Sequence, residues 1–193
     1  MKRIFLAGLL GGIAMFAWTS VAHLLLPLGQ TGVQEIPNEA PVLAAMQASL
    51  GQNSGFYFFP GLGLGSHPTK EQERAGMQDY QKKLDASPSG ILIYHPAGSV
   101  KALNPRQLGT EALTEFLEAL LVAFLLAQTR LTGYVGRLGF VLVAGILAAM
   151  ATNLPYWNWY GFPTNYTEAY AGTQVVGYLC VGLVAAAIVK PRE

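Results

Sequence analysis

Residues 153–163 read Asn-Leu-Pro-Tyr-Trp-Asn-Trp-Tyr-Gly-Phe-Pro, placing Tyr156, Trp157, Trp159, Tyr160 and Phe162 within seven positions between Pro155 and Pro163. Rings of this kind gather at the headgroup level of a bilayer. The ring body prefers the apolar side, while the N–H or O–H needs a polar partner. Apolar segments lie on both sides of the stretch. It therefore reads as a hairpin over residues 154–166 that turns the chain at one membrane surface, with these five aromatic residues as the interface anchor.

Composition agrees with that reading. Of the 193 residues, 52% are apolar and only 12% are charged, against about 25% charged in an average soluble domain. A net charge of +1, without a Lys/Arg cluster that could track phosphates, argues against nucleic acid as a partner. Cys180 is the one cysteine, so neither an internal disulfide nor a Cys-cluster metal site is available. The expected fold is a mainly α membrane protein, a four-transmembrane-helix bundle with a small α+β extracytoplasmic insert between the first and second spans.

Working outward from the hairpin, residues 134–153 form the third span and residues 167–189 the fourth. Small residues allow close helix approach in both: Gly136, Gly139, Ala144 and Ala148 offer small faces in one, and Thr173/Gly177 and Gly182/Ala186 stand at four-residue spacing in the other. The second span covers residues 108–129 on a helix that starts at Asn104-Pro105, an N-cap followed by an N1 proline. The first covers residues 4–26, long enough for the roughly 20 residues that a hydrocarbon crossing needs. Ser20-Val21-Ala22 offers a signal-peptide cleavage motif, but the apolar run continues to Leu26, beyond the usual h-region, so the segment is read as retained. Gly8 and Gly12 supply its small face.

The insert, residues 27–104, is rich in Pro, Gly, Asn and Gln. Asn38 is positioned as an N-cap for a helix stopping at Gly51, and Thr69 with Gln72 as a capping box for a charged helix to about Asp85. Phe56–Phe59 and Ile91–Tyr94 read as strands. Two strands alone are marginal in water, so they are expected to pair and to be covered by these helices or seated on the membrane. Lys2, Arg3, Arg130, Arg137, Lys190 and Arg192 fall on one side of the spans, which by the positive-inside rule is cytoplasmic. Both termini are thus expected inside, and the insert and aromatic hairpin outside the inner membrane.

Glu111, Glu115 and Glu118 are spaced i, i+4, i+7 and share one helical face. At about 1.5 Å per residue, Glu118 lies roughly 18 Å and Glu115 roughly 22 Å from the cytoplasmic end at Arg130. Carboxyls at that depth are functional candidates unless they serve as neutral interhelical glue. The same ruler sets Gln174, Trp18 and Thr19 near Glu115, Tyr178 near Glu118, and His23 with Glu111 closer to the outer surface. The expected site is a polar, outward-opening cleft between spans one, two and four, built from His23, Glu111, Glu115, Glu118, Gln174 and Tyr178. No metal is expected, because His23, His67 and His95 show no ligand spacing. No cofactor is expected either. The glycines of Pro60–Gly65 lack the Lys-Ser/Thr of a phosphate loop, and no nucleophile elbow occurs.

Trp18 with His23, Leu26-Pro27-Leu28-Gly29, Pro37-Asn38-Glu39, Phe56–Gly61, Pro88-Ser89-Gly90, Tyr94-His95-Pro96, Pro105–Gly109 and Pro155–Pro163 together resemble a family of small, uncharacterised four-span bacterial inner-membrane proteins. The resemblance implies fold and compartment and no activity. The expected function is a non-enzymatic accessory, assembly or scaffold subunit of the inner membrane, contacting lipid and another membrane protein through its insert and aromatic rim. The alternative is binding or transport of a lipophilic or cationic small molecule in the acidic cleft.

Overall fold

The computed structural model describes residues 1–65, 67–102 and 104–190. Among them the chain forms six α-helices, α1 (Lys2–Leu24), α2 (Glu39–Leu50), α3 (Lys70–Ala86), α4 (Pro105–Ala127), α5 (Tyr134–Tyr160) and α6 (Thr164–Ile188). Two strands, β1 (Gly55–Phe59) and β2 (Gly90–Tyr94), and a 3-10 turn, Leu28–Gln30, complete the described elements. Two compact units result: Met1–Gln34 with everything from position 103 onward, and Glu35–Ala102.

In the first unit α1 packs on both α4 and α6, and α6 packs on α5, while α4 touches α5 and α6 only sparsely. Most buried positions are small or β-branched, among them Ala7, Ala119, Ala123, Val141, Val181 and Ala185, with Met15, Leu126 and Tyr178 as larger exceptions. Ile13, Leu121, Val143 and Leu147 instead point outward. Small residues inside and large apolar residues outside is the distribution of helices associating in an apolar medium; water would not tolerate so much exposed hydrocarbon. Three helices, α1, α5 and α6, are long and apolar enough to cross a membrane. At 23 residues α4 equals α1 in length, but Glu111, Glu115 and Glu118 lower its apolarity.

Close backbone approach fixes the α1–α4 contact. A methyl group on Gly8 would lie 2.8 Å from Leu120 Cα, and one on Gly12 2.7 Å from Phe116 Cα. Between α5 and α6 the equivalent position is Gly145, against the Tyr178 side chain. The small face expected at Gly136 and Gly139 does not mediate this packing: only Leu131 of the neighbouring loop approaches Gly136, and nothing lies near Gly139.

The aromatic stretch also corrects an expectation. Rather than a loop over residues 154–166, α5 continues through Pro155 to Tyr160, and the turn is confined to Gly161–Pro163. Proline has no N–H to give the carbonyl four residues back, so one helical bond is lost, and the helix carries on past it. It stops at Gly161, which takes φ +68°, a conformation that glycine adopts without a Cβ penalty. The second span likewise ends earlier than expected, at Ala127. Its start is as the sequence predicts, with Arg106 N–H donating to Asn104 Oδ1 at 3.0 Å.

In the second unit β1 and β2 pair antiparallel, Phe56 opposite Ile93 and Phe58 opposite Ile91. The α3 capping box is complete: Gln72 N–H donates to Thr69 Oγ1, and Thr69 N–H to Gln72 Oε1. Asn38 precedes α2 but makes no capping bond, because its φ of +52° turns the side chain away from that role. Lys83 Nζ donates to the carbonyls of Gly61 and Leu62, which makes the glycine-rich stretch a turn clamped to α3. Lys82 pairs with Asp79 at 2.8 Å and holds its carboxyl below the usual carboxylate value; the pair is open to solvent and adds little to stability. Neither α2 nor α3 packs along the sheet to any extent. The expected helical cover is therefore missing, and Phe56 and Phe58 are each 54% exposed and Ile93 65%. Alternation explains this: the four residues Phe56, Phe58, Ile91 and Ile93 share one face, and no apolar helix face is built to match it.

Gly12→Ala is expected to force α1 away from Phe116 and destabilise the bundle by about 1–3 kcal/mol. Gly139→Ala, with open space around it, should be neutral or slightly stabilising. Thermal unfolding of the purified protein, followed by loss of the monodisperse peak, separates the two.

Candidate functional site: an acidic cleft in the helical unit

Where α4 stands off from α5, a cleft of about 570 Å³ opens, lined by α1, α4, α5 and α6. Its acidic wall is α4, with Glu111, Glu115 and Glu118 one above the other. These stand at successive helical turns, and α1 supplies Thr19, Ser20 and His23 opposite them.

The central contact joins Thr19 to Glu115, Oγ1 to Oε1 at 2.6 Å. Thr19 Oγ1 also lies 3.1 Å from the Met15 carbonyl one turn earlier. Glu115 is only 4% exposed, and its second carboxyl oxygen, Oε2, is buried without a hydrogen-bond partner. Orphaned buried polar atoms are rare in folded proteins and call for an explanation. Glu118 is half-buried, with the Tyr178 hydroxyl turned toward it. Glu111 stands exposed at the outer end.

The remaining walls are tied by side-chain bonds. Trp18 Nε1 donates to the Thr173 carbonyl at 2.8 Å, fixing α1 to α6. Asn153 Nδ2 donates to Gln174 Oε1 at 3.1 Å and to the Ala149 carbonyl at 2.9 Å, fixing α5 to α6. His23 Nδ1 lies 2.9 Å from the Thr19 carbonyl. Its ring is wedged against Gly29 of the 3-10 turn, where a Cβ would collide with the imidazole. Gly32 packs equally closely on Tyr166, so the segment after α1 is strapped across the ends of α1 and α6.

Of the six residues expected at the cleft, His23, Glu111, Glu115, Glu118 and Gln174 line it. Tyr178 does not; it is buried behind Glu118, against Gly145. Gln174 bonds to Asn153 rather than to an acid. The third span was expected to lie outside the cleft, yet Thr152 and Asn153 of α5 line it. Tyr170 was also missed. Its place at the end of the i, i+4, i+8 series Phe162, Tyr166, Tyr170 is the signal that identifies it.

That series links the aromatic anchor to the cleft. Tyr156 stacks on Phe162 at 5.4 Å, Phe162 meets Tyr166 edge-on, Tyr166 stacks on Tyr170 at 4.4 Å, and Tyr170 meets His23 edge-on at 5.9 Å. Trp157 donates to Thr164 Oγ1 across the turn, while Trp159 is 79% exposed. Among the described residues, no three His, Cys, Asp or Glu side chains converge as a metal would require.

No protein-family model matches the chain, and no curated protein and no solved structure shows significant similarity to it.

Removing the Thr19 hydroxyl tests the central contact. Thr19→Val leaves Glu115 with neither oxygen partnered and is expected to destabilise the bundle by about 1–3 kcal/mol. Thr19→Ser should retain most of that stability, and thermal unfolding of the three proteins reads the difference.

Proposed function

We propose that the chain is a four-span protein of the bacterial inner membrane, termini cytoplasmic, whose outward-opening cleft binds a small amphipathic molecule with a positively charged head. The observation that carries this reading is Glu115: a cleft-lining residue, nearly fully buried, held by Thr19 through one oxygen, and with the other buried and unpartnered. A cationic N–H donor supplies both the missing hydrogen bond and the counter-charge. Tyr170 and Phe16 offer apolar surface for the body of such a ligand, and the volume falls in the range of small-molecule sites.

Counting α4 as a span in addition to α1, α5 and α6 rests on its pairing with α1 along Gly8–Leu120, Gly12–Phe116 and Thr19–Glu115. With that helix inside the bilayer, the basic residues at the ends of α1 and α6 set the orientation.

A second reading, an accessory subunit that contacts a partner outside the membrane, is favoured by the exposed Phe56 and Ile93 of the sheet and by the outward Trp159. The two readings are compatible, since they use different parts of the chain.

Benzylammonium and the uncharged benzyl alcohol distinguish charge recognition from mere apolar partition. Calorimetric titration of the purified protein is expected to show saturable benzylammonium binding that Glu115→Gln weakens at least about tenfold, equivalent to roughly 1.4 kcal/mol. Benzyl alcohol should bind weakly and equally to both. Indistinguishable benzylammonium isotherms for wild type and variant would overturn the proposal.

A further inference from the structure

Counting hydrogens at Thr19 takes the cleft one step further. Thr19 has one hydroxyl proton, yet its Oγ1 lies within hydrogen-bond distance of two oxygens, the Met15 carbonyl at 3.1 Å and Glu115 Oε1 at 2.6 Å. A carbonyl and an ionised carboxylate are both acceptors only. One proton cannot serve two linear contacts, but a second proton on Glu115 Oε1 resolves the geometry. Glu115 then donates to Thr19, and Thr19 donates to Met15. The 2.6 Å separation suits such an O–H···O bond. Burial points the same way, since an isolated ionised carboxylate in an apolar interior is far costlier than a neutral acid.

We infer that Glu115 is a proton-exchange site: in the free protein it holds a proton on Oε1, and a cationic ligand binding at Oε2 expels that proton. The inference rests on the binding reading above and adds its coupling. One ammonium enters and donates N–H to Oε2; the Glu115 O–H bond breaks, and its proton leaves to water through the open cleft. The Thr19 hydroxyl turns from Met15 to the new carboxylate. Net charge in the cleft is unchanged, a neutral acid giving way to a carboxylate–ammonium pair. This is the condition that a low-dielectric site imposes, because an unbalanced charge there is strongly penalised.

Other groups face Glu115 from each packed element. From α1 comes His23, from α4 Glu111 and Glu118, and from α6 Tyr170 and Tyr178, whereas α5 presents only the non-titrating Thr152 and Asn153. Glu118 has the Tyr178 side chain nearby, and Glu111 is open to solvent. Of the three carboxyls on this face, Glu115 combines a proton-sharing partner, burial and an unpartnered acceptor oxygen.

Benzylammonium binding measured in two buffers of different ionisation enthalpy counts the protons exchanged. The wild type is expected to release about one proton per ligand bound near neutral pH, and its affinity to rise about tenfold per pH unit while Glu115 holds its proton. Glu118→Gln should still release a proton, and Glu115→Gln should release none. Binding without proton release, or release that survives Glu115→Gln and disappears in His23→Gln, would overturn the exchange and leave the binding proposal standing. No saturable binding in the wild type would overturn both. Infrared spectroscopy supplies a ligand-independent check. The free wild type should show a carboxylic-acid C=O band that Glu115→Gln lacks and that benzylammonium removes, and its absence from the free wild type refutes the protonated state.

Discussion

The helical unit is organised by the need to give a buried carboxyl a partner. Glu115 is nearly fully buried, and among the described residues its hydrogen-bond partner is Thr19 on α1. That reach exists only because α1 lies almost backbone-to-backbone on α4, and it does so only because Gly8 and Gly12 have no side chains to hold the helices apart. Small residues and a polar pair thus act together, as expected where apolar surroundings give no net drive for helices to associate. On its other side α1 meets α6 through Gly11, set against Val181, and through Gly177, set against Met15. The result places α1 at the centre of the unit, with α4 and α5 on opposite sides of the cleft.

How far the sequence discloses this depends on whether a feature lives on one helix or between two. The acidic face of α4 is a one-helix property, set by 3.6-residue periodicity, and could be read directly from Glu111, Glu115 and Glu118. Depth along the axis was also legible, because a fixed rise converts residue number into height. Rotation about the axis was not. Tyr178 has the height of Glu118 yet points behind it toward Gly145, while Asn153, on a helix thought to lie apart, turns into the cleft to hold Gln174. Such rotations are fixed by which small residue meets which neighbour, and single-chain periodicity carries little of that. The aromatic stretch shows a different limit. Its interfacial character follows from composition, but Pro155 reads as a helix breaker only if the lost hydrogen bond outweighs the continuing packing of α5 on α6, and here it does not.

The Glu35–Ala102 unit illustrates the same boundary from the other side. Its local signals are strong, and the capping box, both strands and the helix limits follow from residues a few positions apart. What it lacks is a shared interior: α2 and α3 contain no buried residue, and the two-stranded sheet turns Phe56, Phe58 and Ile93 outward. Its ordering comes from polar clamps, Lys83 on the Gly61 and Leu62 carbonyls and Tyr94 on Gly51. Each such bond contributes about 0.5–1.5 kcal/mol net. A pair of strands with so little behind it gains from a further apolar surface, which gives the accessory-subunit reading its physical basis.

Among three carboxyls on one face, the choice of Glu115 as the working group follows from what each neighbour already satisfies. Glu111 is exposed, where solvent can answer it. Glu118 is only half-buried and lies near the Tyr178 phenol. Glu115 is the most buried of the three and the one left half-answered. An unpartnered buried carboxyl oxygen costs about 1–3 kcal/mol, and an apolar residue at that position would remove the penalty outright. On the binding reading proposed above, the acid is kept because its second oxygen is met some of the time. The volume beside it, the donor-bearing Thr19 behind it and the ring series from Phe162 to Tyr170 are the features on which the proposed binding of an incoming partner rests.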